Sequence, residues 1–356
     1  MTGRRRRLTV VLAVLVALAS GASAGWLAVG RTAAAENLLA SPTFGVLSPR
    51  RAPEFLQTFV ADTRLAGRIA ALMRSLAPTS CAVVRADKAM VVAVNPDQLL
   101  VPASALKLTT AAAFLAKVGG TGHFTTVVRG SKPDAAGTVK GDLIVVGSGD
   151  PMLATEGYVS TRKHPPTPAT DIAKLVRQIV AAGVLRVTGG IAVSDDLHDA
   201  ERRVPTWSAG YTASGDVGPL GALAVNDGFS AYSPSLIAAP DPAIAAGESL
   251  RAGLTAAGVK IVGATHRVPR PPAAVNALAS IASAPFAEIV AEMLRESDNN
   301  TAELLLKEMA RRGAAAAAPV TRAAGVAART AALEELGVDA PAVQAIDGSG
   351  LDRSDR

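Results

Sequence analysis

The chain has 356 residues, 49% hydrophobic and 19% charged, which supplies enough apolar material for a buried core and excludes wholesale disorder. Arg4 to Arg7 carry four of its six net positive charges and aromatics make up only 3%, which excludes a basic, base-stacking nucleic-acid surface. The single cysteine, Cys81, excludes an internal disulfide and a thiolate metal site; in the apolar run Cys81-Ala-Val-Val it reads as a small core residue.

In chain order, Arg4 to Arg7 precede an uncharged, apolar stretch at 8–30 with a small-residue cleavage site at Ala22-Ser23-Ala24, the pattern of a secretory signal peptide. The same stretch is long enough to cross a bilayer as an uncleaved anchor. In both readings residues 1–30 place the bulk of the chain outside the cytoplasm, the arginines staying on the inner side. Residues 31–52, with turn formers such as Ser48-Pro49, read as a linker.

The folded part begins near Pro53. Residues 65–76 have helical spacing, and 81–85 and 89–94 read as two strands joined by a tight Ala86-Asp87-Lys88 turn. Residues 104–117, rich in Ala and Leu, predict a helix with Ser104 at its N-cap. Between 121 and 274 come short strands at 124–129, 142–146, 190–193 and 223–225, with helices at 172–182 and 243–257. Long helical periods return at 285–295, 301–312 and 316–336, the alanine run 314–318 reading as filler. The fold class is therefore α/β of the α+β kind. A helical part, 53–120 and 275–356, is split by a β-rich region, 121–274.

The four histidines, His123, His164, His198 and His266, are far apart and form no metal-binding spacing. No G-x-x-x-x-G-K-[ST] or G-x-G-x-x-G is present, so no nucleotide cofactor is expected. Ser104-Ala-Leu-Lys107 is an S-x-x-K, and on a helix this spacing puts both side chains on one face. A serine hydroxyl needs a base beside it, and a lysine serves only if burial or a neighbouring cation lowers its pKa well below about 10.4. The plain alternative is a capping serine and a solvated lysine. A second S-x-x-K, Ser160 to Lys163, runs into His164-Pro165-Pro166, which defeats a helix and predicts an exposed loop. Ser297-Asp298-Asn299 falls in a turn between two predicted helices. There Ser297 can relay a proton and Asn299 can bind a substrate amide, or the tripeptide simply caps the helices. S-x-x-K together with S-D-N is the pairing found in penicillin-binding proteins and class A β-lactamases.

Five stretches share an order: Val101-Pro102-Ala103-Ser104-Ala-Leu-Lys107, Gly141-Asp142-Leu143-Ile-Val-Val-Gly147-Ser-Gly149-Asp150-Pro151, Ala224-Val225-Asn226-Asp227-Gly228, Ser297-Asp298-Asn299-Asn300-Thr-Ala302-Glu303 and Asp347-Gly348-Ser349-Gly350-Leu351. Together they resemble the penicillin-binding D-alanyl-D-alanine carboxypeptidases of the DacB (PBP4) type, over roughly residues 53–351. The resemblance implies a transpeptidase-like domain, helices on a five-stranded antiparallel sheet, interrupted by a β-rich insertion that compact β-lactamases lack. It implies that Ser104 is the acylated nucleophile, Lys107 its base, and Ser297 and Asn299 the second catalytic element, with no cofactor and no metal. The implied partners are peptidoglycan stem peptides, with β-lactams as inhibitors. Asp195-Asp196 resembles an acidic segment facing the cleft, with a strand-end turn as the alternative. The family's third motif, K-T-G, is not found, and six residues follow Gly350; the expectation is a chain without that C-terminal part and with weak activity. The expected function is a serine D-Ala-D-Ala carboxypeptidase, with endopeptidase action on crosslinks left open. A non-catalytic exported wall-peptide-binding or scaffold protein is the alternative, and a β-lactamase ranks below both.

Overall fold

In a computed structural model of the chain, residues 54–86, 89–313, 319–339 and 343–356 are described. The leader and linker, the hairpin turn at Asp87-Lys88 and the alanine run 314–318 lie outside the described residues. The chain divides into two compact units, Met1–Gln98 and Leu99–Arg356.

In the first unit, helix α1 (Glu54–Met73) begins well before the expected 65, because no proline or glycine interrupts the sequence from Glu54 to Ala66. It packs on the second strand of an antiparallel hairpin, β1 (Ala82–Ala86) and β2 (Ala89–Val94). Cys81 is exposed, which corrects the core reading. It stands one residue outside the ladder, whose first pair is Ala82 with Val94, and a two-stranded hairpin has little surface with which to cover it.

The second unit holds a five-stranded sheet built from β3 (Thr125–Arg129), β4 (Leu143–Val146), β5 (Ile191–Ser194), β6 (His266–Arg267) and β7 (Ala277–Ala282). The spatial order is β6-β5-β4-β3-β7. The β6–β5 and β5–β4 pairs are parallel, and the β4–β3 and β3–β7 pairs antiparallel. This five-stranded sheet is mixed and belongs to the middle region; it is a different sheet from the antiparallel one expected of the helical part. The reason is connectivity. Helix α3 (Ala173–Ala181) lies between β4 and β5, and helix α4 (Pro242–Ala256) lies between β5 and β6, and a crossover helix is what lets consecutive strands run parallel. Aliphatic side chains of the sheet and these two helices, Val128, Leu143, Ile191, Leu175, Ile179 and Leu250 among them, form one core. Strand β7 carries this region past the boundary expected at 274.

The expected strand at 223–225 is absent. The Leu223 amide donates to the Asp195 carboxylate at 2.7 Å. The chain then enters a turn, Asn226–Gly228, with three successive residues at positive φ, a geometry incompatible with a ladder.

The helical part comprises α2 (Leu106–Lys117), α5 (Phe286–Glu296), α6 (Asn299–Gly313) and α7 (Arg322–Glu335). Helix α6 is central, buried from Asn300 to Ala310 and packed on α2, α5 and α7. Phe286 meets Phe114 and Phe124 edge-on, at 5.3 and 5.0 Å between ring centroids, an arrangement that adds about 0.5–1.5 kcal/mol beyond area burial. Helix α7 starts later than the expected 316, where the Thr321 hydroxyl accepts the Ala324 amide as an N-cap. Gly325 is required there, since a Cβ would stand 2.6 Å from the Leu306 carbonyl oxygen of α6. Among the described residues no helix is long and apolar enough to cross a membrane.

Candidate active site

Pro102-Ala103-Ser104 leads into α2 through a 3-10 turn, Ala103–Ala105. Ala103 has a φ of +47°, costly for a residue with a Cβ. Gly350 leaves room for it: its own φ is +82°, and a Cβ at Gly350 would lie 1.9 Å from the Ala103 carbonyl oxygen. Ser104 is not the cap of α2, and no side chain caps that helix start. Its exposed hydroxyl instead lies 3.1 Å from Lys107 Nζ and 2.9 Å from Ser297 Oγ.

Lys107 is 1% exposed, so the solvated-lysine reading fails. Nζ donates to Asn299 Oδ1 at 2.6 Å and to the Ser349 carbonyl at 2.9 Å. Both partners only accept, so they fix two of the amine's protons. The third tetrahedral direction faces Ser104 Oγ, which can donate as well as accept. Burial lowers the Lys107 pKa, opposed by the fields of Asp298, Glu303 and Asp347. One of those fields is muted: burial and the adjacent Asp347 push Glu303 up to about 8, which keeps its carboxyl protonated at neutral pH.

The floor under Lys107 is the Asp347-Gly348-Ser349-Gly350 loop. Asp347 Oδ1 accepts the Ser349 and Gly350 amides, and its Oδ2 accepts Trp207 Nε1. Glu303 Oε1 accepts the Gly348 amide at 2.9 Å. The Thr110 hydroxyl of α2 donates to the Gly348 carbonyl, and buried Arg329 of α7 donates to the Asp347 carbonyl at 2.7 Å. Three helices thus clamp one loop, and the loop presents the carbonyl that orients Lys107.

The S-D-N turn divides its labour. Ser297 ends α5 at a φ of +58°, and this left-handed C-cap turns its hydroxyl to Ser104. Asp298 is the capping residue expected of such a turn, its Oδ1 accepting the Thr301 amide at 2.8 Å. Asn299 is anchored at both ends of its amide, since Nδ2 donates to the Asp216 carbonyl at 2.7 Å while Oδ1 faces Lys107. In this state it positions the lysine rather than standing open to a substrate amide. The four residues picked from sequence, Ser104, Lys107, Ser297 and Asn299, form one hydrogen-bonded cluster.

The second S-x-x-K does not join them. Ser160 and Lys163 are exposed, and Ser160 Oγ donates to the Gly157 carbonyl at 2.7 Å. Arg162, between them, is the residue that sequence reading missed. Its guanidinium reaches Asp298 at 2.6 Å and Asp227 at 2.8 Å. The signal available was Asp227 in the Ala224-Val225-Asn226-Asp227-Gly228 stretch, an acid that needs a cation when buried. Asp195-Asp196 closes the end of β5; Asp195 is buried between Arg202 and Arg267, as a strand-end turn.

A surface hollow of about 580 Å³ is lined by residues that include Glu156, Ser160, Pro165 and Asp171 and by none of the clustered four. Chemistry, not concavity, locates the site. Among the described residues no group of three or more His, Cys, Asp or Glu side chains is placed to hold a metal ion.

The D-Ala-D-Ala carboxypeptidase 3 (S13) family profile matches residues 65–236 and 230–356. Over 268 residues the chain is 30% identical to the carboxypeptidase Rv3627c of Mycobacterium tuberculosis, covering 73% of this chain and 53% of that protein. Over 328 residues it is 28% identical to the D-alanyl-D-alanine carboxypeptidase of Actinomadura sp., covering 72% and 57%. The chain thus spans about half the length of the curated relatives it matches. Penicillin-binding protein 4 (dacB) of Haemophilus influenzae shares the fold with a TM-score of 0.62 at 18% identity, over 75% of this chain and 69% of that one.

Proposed function

The chain belongs to the D-Ala-D-Ala carboxypeptidase 3 (S13) family, and from that premise we propose that it is a serine-type D-Ala-D-Ala carboxypeptidase acting on peptidoglycan stem peptides. The observation that carries the proposal is the buried Lys107 amine, with two protons fixed on Asn299 and Ser349 and its remaining direction on the Ser104 hydroxyl. A neutral amine so held has its lone pair aimed at the proton that must leave.

Ser104 Oγ attacks the penultimate D-Ala carbonyl as its proton passes to Lys107 Nζ. The attack takes place at the N-terminal end of α2, whose dipole favours negative charge on the carbonyl oxygen. When the tetrahedral intermediate collapses, the C–N bond breaks and the departing D-Ala amine takes a proton through Ser297 Oγ, 2.9 Å from Ser104 Oγ. Water then attacks the ester carbonyl as one of its protons passes to Lys107 Nζ, the bond between the acyl carbon and Ser104 Oγ breaks to release the carboxylic acid product, and the proton on Lys107 returns to Ser104 Oγ. β-Lactams would acylate the same hydroxyl. The basic and apolar start of the chain, residues 1–30, supports action outside the cytoplasm, where peptidoglycan lies.

The test is to incubate the chain with a fluorescent penicillin, map the adduct, and measure D-Ala released from an acylated D-Ala-D-Ala peptide. One adduct on Ser104, absent in Ser104→Ala, is expected together with D-Ala release, weak because the sequence holds no K-T-G. A folded wild-type chain with neither adduct nor release would overturn the enzyme in favour of a non-catalytic wall-peptide binder.

A further inference from the structure

Arg162 takes no part in the steps above, yet two ion pairs tie it to the turn that carries Ser297 and Asn299. Its Nη1 lies 2.6 Å from Asp298 Oδ2 and its Nη2 lies 2.8 Å from Asp227 Oδ2, and the three side chains are only 16%, 5% and 7% exposed. The Tyr158 hydroxyl donates to the same Asp227 oxygen at 2.6 Å, and the guanidinium lies over the Tyr158 ring at 5.4 Å. Both carboxylates are fastened to the catalytic turn. Asp298 sits between Ser297 and Asn299 and caps α6 through Thr301, while Asn300 Nδ2 donates to the Asp227 carbonyl at 3.2 Å. Two carboxylates buried this close repel unless a cation separates them.

We propose that Arg162 is a positioning residue of this site: it clamps Asp298 against Asp227 so that Ser297 stays on Ser104 and Asn299 stays on Lys107, and its charge offsets theirs. The proposal rests on the reading of Ser104 and Lys107 as nucleophile and base. The groups that act on Lys107 are Asp298 from the turn, Glu303 from α6 and Asp347 from the loop below, all three favouring the ammonium form, with Arg329 of α7 on the Asp347 carbonyl. Those that face Arg162 are Tyr158, Asp227 and Asp298. Removing the guanidinium leaves the Asp298 charge, which acts on Lys107, uncompensated; this holds the proton on Lys107 to higher pH. It also frees Asp298 from Asp227, which loosens the turn.

The experiment follows acylation by a fluorescent penicillin against pH on the full chain, for wild type, Arg162→Lys, Arg162→Met and Arg162→Met/Asp298→Asn. Arg162→Met is expected to slow acylation about 10- to 100-fold and to raise the pH of half-maximal rate by about one unit. Arg162→Lys should keep the wild-type midpoint with a smaller loss, and the double variant should bring the midpoint back to the wild-type value or below. A rate within twofold of wild type at an unchanged midpoint in Arg162→Met, or a midpoint still raised in the double variant, overturns the proposal. If Arg162→Met unfolds by circular dichroism, Arg162→Lys and the double variant decide on the same criteria. If wild type forms no adduct at Ser104, the catalytic reading falls and the clamp is judged by hydrogen exchange of the Thr301 amide. Faster exchange in Arg162→Lys then supports the clamp, and unchanged exchange overturns it.

Discussion

The chain carries one four-residue S-x-x-K pattern twice, and the two copies share little beyond that spacing. Ser104 to Lys107 opens a 12-residue helix and buries its lysine. Ser160 to Lys163 closes a four-residue helix, runs into Pro165-Pro166, and leaves both side chains in solvent. What separates them is supplied from far along the chain, by Asn299 at 192 residues and Ser349 at 242 residues from Lys107. Spacing on a helix directs a lysine toward a serine; only tertiary packing takes it out of water and spends its protons. Burial of that kind lowers the Lys107 pKa.

The largest effect should come from breaking the first copy at its base. Lys107→Met keeps the length and burial of the side chain and removes the amine. We expect acylation by penicillin to fall about 10²- to 10⁴-fold, measured as the second-order rate of adduct formation. The pH dependence follows from the neutral amine being the active form. Burial lowers the Lys107 pKa from 10.5, so the wild-type rate should rise with pH to a midpoint below that value, and the residual rate of Lys107→Met should lack this rise. A Lys107→Met rate within threefold of wild type would assign the base elsewhere.

A smaller effect should sharpen the comparison at the shell that only the first copy possesses. Glu303 is buried against the loop under Lys107 and is pushed up to about 8 by burial and Asp347. Its folded-state pKa therefore exceeds its unfolded value of about 4.3. Between these values the folded state holds a proton that the unfolded state has released, so its share of stability is present below the unfolded pKa and is lost as pH rises toward 8. Glu303→Gln keeps the carbonyl that accepts the Gly348 amide and removes the titration. Its stability relative to wild type should improve on going from pH 5 to pH 8, at a slope on the order of 1 kcal/mol per pH unit, read from urea melts. A stability difference independent of pH would mean that Glu303 is ionised in the fold.

These buried charges also mark where the sequence was legible. In the middle region, strands and helices at 124–129, 142–146, 172–182, 190–193 and 243–257 were found within a residue or two, because an aliphatic core leaves its period in the sequence. The mixed character of its sheet was not drawn out, although two helices between strands imply parallel pairs. In the helical part, periodicity located α2, α5 and α6, and residue chemistry picked out Ser104, Lys107, Ser297 and Asn299, which the fold brings together. The sequence was silent on Arg162 and Arg329 and gave Glu303 no role beyond its place in a shared stretch, since a buried charge looks like a surface one until its partner is placed. The Ser349 contribution was hidden for another reason: it comes from a backbone carbonyl, which any residue possesses. Cys81 misled because an apolar run predicts a strand but not whether both of its faces are covered.

The smallest effects belong to the second copy, and their smallness is the sharpest check on the comparison. Ser160 Oγ makes one exposed hydrogen bond to Gly157, and such bonds contribute little where water competes. The loop that follows is held by its backbone: the Lys163 and His164 amides donate to the Glu296 carboxylate at 3.1 and 2.7 Å. An alanine at Lys163 keeps both bonds. Ser160→Ala and Lys163→Ala should each leave stability within about 0.5 kcal/mol of wild type, and acylation within twofold, with the adduct still on Ser104. Arg162, flanked by these two positions, is expected to lose far more. If instead Lys163→Ala loses tenfold, the exposed lysine acts on the site at a distance, and the contrast drawn between a buried and a solvated lysine fails at its simpler end.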